Sequence, residues 1–156
     1  MTKKDLIKRI NVRSFTKEEK IAALEAIEMP VPWWLQSIKE SVQGDNSIFF
    51  VACDADELLG FAVVYYTIPE AELPDIVVSS KARRQHVATE LLQTIIREII
   101  SKGARELFLE VRESNEPAIS LYSKFGFEQI SIRKNFYRNP DENALCLKLD
   151  LELYTK

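Results

Sequence analysis

Histidine, cysteine and glycine are all scarce in this chain of 156 residues, with one, two and four copies. The lone His86 and the isolated Cys53 and Cys146 make no metal-ligand spacing, so no metal centre is expected. The two cysteines, each within a strand-like run, read as reduced structural thiols. No apolar run approaches the roughly 20 residues of a membrane span. The opening stretch MTKKDLIKRINVRSF holds no apolar core of signal-peptide length. These absences predict a cytoplasmic protein with no membrane partner. Charge of one sign is missing too: 21 Lys and Arg stand against 24 Asp and Glu, a net charge of −3. That argues against direct nonspecific nucleic-acid binding, which needs a strongly basic face, while leaving room for a local basic cluster. With no repeat, low-complexity tract or linker, the length predicts a single domain over residues 1–156.

What is present is an ordered series of strand and helix signals. Ile10 and Val12 alternate in a short strand at 9–14. Thr16 and Glu19 have capping-box spacing for a helix over 17–28. MPVPWW is a turn before a second helix over 33–43, ending near Gly44. Strands are predicted at 47–53, 58–67 and 71–79, the first two joined by the polar hairpin DADE. The period then changes. Val87, Ala88, Leu91, Leu92, Ile95, Ile96, Ile99 and Ile100 fall in pairs every four residues, a wide apolar helix stripe closed by Gly103. ELFLEV (106–111) is a strand. Ser114, Asn115 and Pro117 open a helix over 116–125, and Gly126 stops it. Closing strands follow at 127–132 and 144–151, the last with Leu145, Leu147, Leu149 and Leu151 on one buried face. This order predicts an α/β sandwich on a mixed sheet, with its parallel part in the strand–helix–strand–helix unit at 71–125.

Three places could carry chemistry. In SSKARRQHVATELL, the first N–H groups of a helix starting near Gln85 lack intrahelical partners and, with the helix dipole, can seat an anion. Lys81, Arg83 and Arg84 stand just before them. Phosphate-holding turns usually carry glycine, and here His86 stands instead; the alternative is a solvated basic turn that binds nothing. Glu110 shares a strand face with Phe108 and Arg112, opposite Leu107, Leu109 and Val111. A carboxylate in so apolar a strand is costly unless satisfied, and it can serve as a base near neutral pH. The alternative is a structural pairing with Arg112 or a neighbouring strand. Tyr122 follows Ala118 by one helical turn, which leaves room beside the phenol. Leu121 and Phe125 form an adjacent pair expected in the core, and a core role for Tyr122 is equally open.

Taken together, KARRQHVATELL and LFLEVRESNEPAISLYSKFGF resemble the GNAT superfamily of acetyl-CoA-dependent N-acetyltransferases. Arg83-x-x-His86-x-Ala88 occupies that family's Arg/Gln-x-x-Gly-x-Gly/Ala turn. Asn115, Ala118 and Tyr122 meet its Asn-x-x-Ala-x-x-x-Tyr pattern. Leu109-Glu110-Val111-Arg112, Ser120-Leu121-Tyr122 with Gly126-Phe127, Ile132-Arg133-Lys134-Asn135-Phe136-Tyr137, Asn143-Ala144 and Pro32-Trp33 are similar to the bacterial ribosomal-protein alanine N-acetyltransferases, the RimI group. The likeness is close over 76–149. It implies a GNAT-like α/β fold: a mixed, mostly antiparallel central sheet with a parallel β-α-β core and helices on both faces.

The same resemblance implies acetyl-CoA as acetyl donor. Its pyrophosphate would rest on the backbone from Arg84 through Gln85, His86 and Val87 to Ala88, with Arg83 alongside. Its pantetheine arm would pair with Ile76, Val77 and Val78, the Val78 N–H aimed at the thioester carbonyl. Asn115 and Ala118 would meet the cofactor arm from the next helix. A free amine would attack directly, with no covalent enzyme intermediate, Glu110 taking its proton and Tyr122 protonating the departing thiolate. Trp33, Asp75 and Tyr137 would face the acceptor, Tyr137 from a loop at 133–143. The implied acceptor is a protein or peptide N-terminus of the ribosomal-protein alanine type, and the enzyme a monomer or homodimer. A small-amine acceptor and a noncatalytic CoA-binding module are the alternatives. Three departures bear on these roles. His86 replaces glycine, which is costly at positive φ and cheap in helical backbone. Ser79-Ser80 stand where Asp-Pro is common, and Asp75 where the alanine acetyltransferases often have asparagine.

Overall fold

A computed structural model describes residues 10–13, 46–54, 57–83 and 86–155. Within them, seven strands form one sheet: β1 (Ile10–Arg13), β2 (Ser47–Asp54), β3 (Glu57–Thr67), β4 (Glu70–Val78), β5 (Glu106–Arg112), β6 (Glu128–Tyr137) and β7 (Glu142–Asp150). Their spatial order is β1-β2-β3-β4-β5-β7-β6. Every neighbouring pair is antiparallel except β4–β5. Helix α1 (Val87–Ser101) crosses from β4 to β5, as a parallel pair requires, and α2 (Glu116–Phe125) joins β5 to β6. The expected mixed, mostly antiparallel sheet with a parallel β-α-β core is therefore present. The helices expected at 17–28 and 33–43, with Thr16, Glu19, Trp33 and Gly44, lie outside the described residues. Among the described residues, no helix is long and apolar enough to cross a membrane.

The apolar stripe of α1 becomes the centre of the core. Val87, Leu91, Leu92, Ile95, Ile96 and Ile99 are buried against one face of the sheet, each worth roughly 1.5–3 kcal/mol on burial. That face presents Ala52, Leu59, Ala62, Leu73, Leu107 and Leu109 to the same cluster, and α2 adds Tyr122. Gly60 on β3 fixes how closely α1 approaches. A Cβ there would stand 2.7 Å from the Val77 carbonyl oxygen and 3.2 Å from Val87 Cγ1. The first turn of α1 is thus laid over bare backbone. Both helices end where expected, at Gly103 (φ 99°) and Gly126 (φ 102°), in the left-handed region that glycine enters freely. Cys53 and Cys146 are buried within β2 and β7, as the strand runs around them suggested.

Four details differ from the sequence expectations. Helix α1 begins at Val87 rather than near Gln85, because His86 is left-handed (φ 65°, ψ 18°) and not helical. The loop placed at 133–143 is mostly strand: β6 runs to Tyr137, which pairs with Glu142. Two register shifts in β6, with Asn135 at φ 54°, break the period-2 pattern that marks a strand in sequence. On β7, Ala144 and Cys146 are buried as well as the leucines opposite them, so burial is not confined to one face. On α2 the buried side chain is Tyr122, while Leu121 and Phe125 are only half-buried.

Candidate active site

The parallel pairing of β4 with β5 is short, covering Glu70↔Glu106, Ala71↔Leu107 and Glu72↔Phe108. Beyond it, β4 continues to Val78 paired with β3, and β5 continues to Arg112 paired with β7. The cause lies in β4 itself. Pro74 has no N–H to give a ladder, and the register with β3 shifts between Val63↔Asp75 and Tyr65↔Glu72, leaving one extra residue on β4. Such a bulge bends a strand and ends its pairing. The two strands therefore part at their carboxyl ends, the place where open α/β sheets form ligand sites. The open edge of β4 has a definite polarity. The Ser79 N–H donates to the Leu59 carbonyl at 2.8 Å, so the Val78 N–H, one residue earlier in extended chain, points the opposite way, into the gap.

Two helix N-termini flank this gap. Before α1, a short helical turn (Ser80–Ala82) anchors on buried Ala82 and leaves Lys81 and Arg83 exposed. His86 is exposed, left-handed and makes no side-chain cap; its carbonyl accepts the Glu90 N–H at 3.0 Å, the first bond of α1. The N–H groups of Val87, Ala88 and Thr89 precede that bond, so they are available to an anion. The position of the family glycine is thus one of positive φ, where histidine is among the better-tolerated side chains. Arg84 and Gln85 lie outside the described residues. At α2, Asn115 Oδ1 accepts the Ala118 N–H at 3.3 Å. Asn115, expected to meet the cofactor arm, thus uses that oxygen to cap the helix; its amide NH2 is the group left to donate. Ala118 is half-buried against the core.

Strand β5 divides the remaining groups between two faces. Leu107, Leu109 and Val111 lie in the core cluster with Tyr122, while Phe108, Glu110 and Arg112 alternate onto the other face. Tyr122 is buried, its ring edge-on to Phe127 at 5.4 Å between centroids. Glu110 and Tyr122 thus lie on opposite sides of the sheet. On Glu110's face, two arginines each meet one carboxylate and one ring. Arg112 binds Glu142 at 3.1 Å, donates to the Arg138 and Pro140 carbonyls at 3.0 Å, and lies 4.5 Å from the centre of the Tyr137 ring. Glu142 also accepts the Ser114 N–H at 2.7 Å. Hydrogen bonding from the Ser114 side chain, more than from Arg112, lowers the Glu142 pKa from the usual carboxylate value, and the Ser114 N–H adds a smaller lowering. Arg133 reaches Glu110 at 3.6 Å and lies 5.5 Å from the Phe136 ring centre.

The structural partner of Glu110 is therefore Arg133, not Arg112. No role was assigned to Pro74, Arg133 or Glu142 from the sequence. A proline inside a strand run was a legible sign of a bulge; the two charged residues carried no local signal. Asp75 pairs through its backbone with Val63, and its side chain is not among those described. Trp33 lies outside the described residues.

A strand pair that parts beside an uncapped helix start, with a carboxylate and a tyrosine on its two sides, can be compared with known proteins. The model of the acetyltransferase (GNAT) family matches residues 6–127. The chain belongs to the GNAT family. The ribosomal protein bS18-alanine N-acetyltransferase of Escherichia coli strain K12 is 30% identical over 145 residues, covering 85% of this chain and 98% of the relative. The enzyme of the same name from Haemophilus ducreyi is 36% identical over 124 residues, 78% of this chain and 85% of the relative. The crystal structure of the ribosomal-protein-S18-alanine N-acetyltransferase from Escherichia coli superposes with a TM-score of 0.85 at 28% identity, over 91% of this chain and 94% of that one. The likeness thus spans the fold rather than one motif. This GNAT protein is an acyltransferase, and acetyl-CoA is its acetyl donor.

Proposed function

We propose that the protein acetylates the α-amino group of a protein N-terminus, of the ribosomal-protein alanine type, with Glu110 and Tyr122 moving the two protons. The observation that carries this reading is the gap between β4 and β5, with Glu110 on one side of the sheet and Tyr122 on the other. The names of the relatives, ribosomal protein bS18-alanine N-acetyltransferases, support the acceptor class. The residues at the gap fit the donor. Ile76, Val77 and Val78 offer a strand edge, with the Val78 N–H turned toward it. The backbone of His86, Val87 and Ala88 offers an anion seat, and Arg83 stands beside it. Arg84 and Gln85 complete that turn in sequence. Bound there, acetyl-CoA supplies the acetyl group as a thioester.

The chain's own groups then divide the work. The Val78 N–H polarises a carbonyl oxygen placed against it. Glu110 takes a proton from the acceptor nitrogen, directly or through water, and Tyr122 gives its phenolic proton to the departing sulfur. Asn115 and Ala118 border the donor from α2. Tyr137, held by Arg112, borders the acceptor on Glu110's face; the family resemblance assigns Asp75 and Trp33 to the acceptor as well.

A CoA-release assay tests this with three acceptors side by side: a peptide with a free N-terminal alanine, an N-blocked lysine peptide and small amines. The alanine peptide is expected to be preferred; a preference for a small amine would overturn the acceptor class. An α-amine has a pKa of roughly 7.7–8.0, so part of it is already neutral at pH 7. Glu110→Gln should therefore slow the reaction mainly at low pH, and an unchanged pH–rate profile would remove Glu110 from the mechanism. Tyr122→Phe should lower kcat with acetyl-CoA affinity nearly kept, and full activity would remove its acid role.

A further inference from the structure

The two arginines on Glu110's face use the same groups to different ends. Arg112 and Glu142 are 18% and 13% exposed, and Arg112 is tied to two backbone carbonyls as well. Arg133 and Glu110 are 60% and 32% exposed and 3.6 Å apart, and among the described residues no hydrogen bond holds the guanidinium. Arg133 lies on the edge strand β6 opposite Ala144, and Ser131 lies opposite Cys146; on β5 the same two β7 residues face Arg112 and Glu110. Two small side chains on β7 thus leave a path along which a long side chain crosses to Glu110. The Phe136 ring offers the guanidinium a second resting place. The other described charges around Glu110 are engaged elsewhere: Arg112 with Glu142, and Lys148 with Glu106. Cys146 is its direct cross-strand neighbour.

We propose that Arg133 is a positioning residue that selects the charge state of the acceptor, admitting a neutral amine and discouraging an ammonium. It rests on the reading that Glu110 takes the acceptor's proton. A bare carboxylate beside the gap would attract any cation, a lysine side chain included. Paired with Arg133, it is part of a neutral ion pair, and its attraction for a second cation is largely cancelled. At low pH the small share of α-ammonium that still enters passes its proton through Glu110 to water. The neutral amine so formed, or arriving as such, loses a further proton to Glu110 as its new bond to carbon forms: the N–H bond breaks, and an O–H bond forms on the carboxylate. At pH 7 the neutral fraction of an α-amine exceeds that of a lysine ε-amine by roughly 350-fold, from pKa values of about 7.8 and 10.4. A seat that favours neutral amines inherits that preference without any contact that measures the acceptor's length.

The test compares kcat/KM for an N-terminal alanine peptide with that for an N-blocked lysine peptide, in the wild type, Arg133→Gln and Arg133→Lys. Arg133→Gln should lower the α-to-ε ratio by about tenfold, chiefly through a lower KM for the lysine peptide. Arg133→Lys keeps the charge and should hold the ratio within about twofold. Calorimetry with CoA in place of acetyl-CoA supplies a reading free of turnover. Binding of the lysine peptide should strengthen with pH in the wild type and flatten in Arg133→Gln. A ratio and a pH dependence unchanged in Arg133→Gln would overturn the proposal, as would a ratio that collapses equally in Arg133→Lys. Glu110→Gln separates the two levels. If it leaves the pH–rate profile unchanged, the reading of Glu110 itself is lost. If it slows the low-pH reaction while Arg133→Gln leaves the ratio alone, only the role of Arg133 is lost.

Discussion

The helices that begin on either side of the gap between β4 and β5 start in opposite ways. Helix α2 opens with Asn115, whose side chain accepts the Ala118 N–H, and with Pro117 in its first turn. Helix α1 opens with His86 in a left-handed conformation and with no side-chain cap. A capped end has satisfied part of its own need for acceptors; an uncapped one leaves its N–H groups to water or to a ligand. The proposed pyrophosphate seat belongs at the end that is left open. The same contrast explains why a glycine-free turn can still serve. What the seat needs from its third position is positive φ, and His86 adopts it.

Substitutions at three positions probe this contrast, and Gly60→Ala should have the largest effect. Its Cβ would meet the Val77 carbonyl oxygen at 2.7 Å, so α1 or β4 must shift. Stability should fall by roughly 1–3 kcal/mol, as overpacked cores do. Acetyl-CoA affinity, measured by calorimetry, should weaken with it. If affinity is untouched while the melting temperature falls, the open end of α1 is not where the donor is held. Asn115 comes next. Asn115→Ala should cost about 1 kcal/mol through the lost cap, and Asn115→Ser, which can still cap, should restore it. If the serine variant recovers stability but binds acetyl-CoA more weakly, the Asn115 amide touches the donor; full recovery of both would make it a cap alone. The smallest effect is expected from His86→Gly. A left-handed non-glycine residue costs roughly 1–2 kcal/mol, which the added freedom of glycine in the unfolded chain partly offsets. A small gain in melting temperature should appear, with acetyl-CoA bound at least as tightly. Weaker binding would instead make the imidazole a phosphate ligand.

Much of the fold was legible because its signals are local. The paired apolar positions of α1 and the alternation on β5 and β7 each repeat within a few residues. Gly103 and Gly126 mark the helix ends by a property of their own backbone. The last hairpin was not legible in the same way. Bulges in β6 disrupt the alternation over residues 129–137, so Tyr137 read as loop although it closes the ladder against Glu142. Within the site, Glu110 and Tyr122 stood out by residue type and spacing. Arg133 did not, because its pairing with Glu110 depends on the spatial order β5-β7-β6. No window of sequence contains that order.

By itself, then, the sequence determined most of the described strands and both described helices, and it marked the residues proposed to carry acetyl transfer, since periodicity, stop signals and motif spacing act over short distances. Only the tertiary structure decided what those residues face. The break in β4 at Pro74 opens the gap, and the bare backbone at Gly60 brings α1 to its edge. Sheet order gives Glu110 an exposed arginine and Arg112 a half-buried carboxylate. These outcomes follow from which strands lie side by side and how closely a helix can approach them. That is settled when the whole core packs, not when each segment takes its local form.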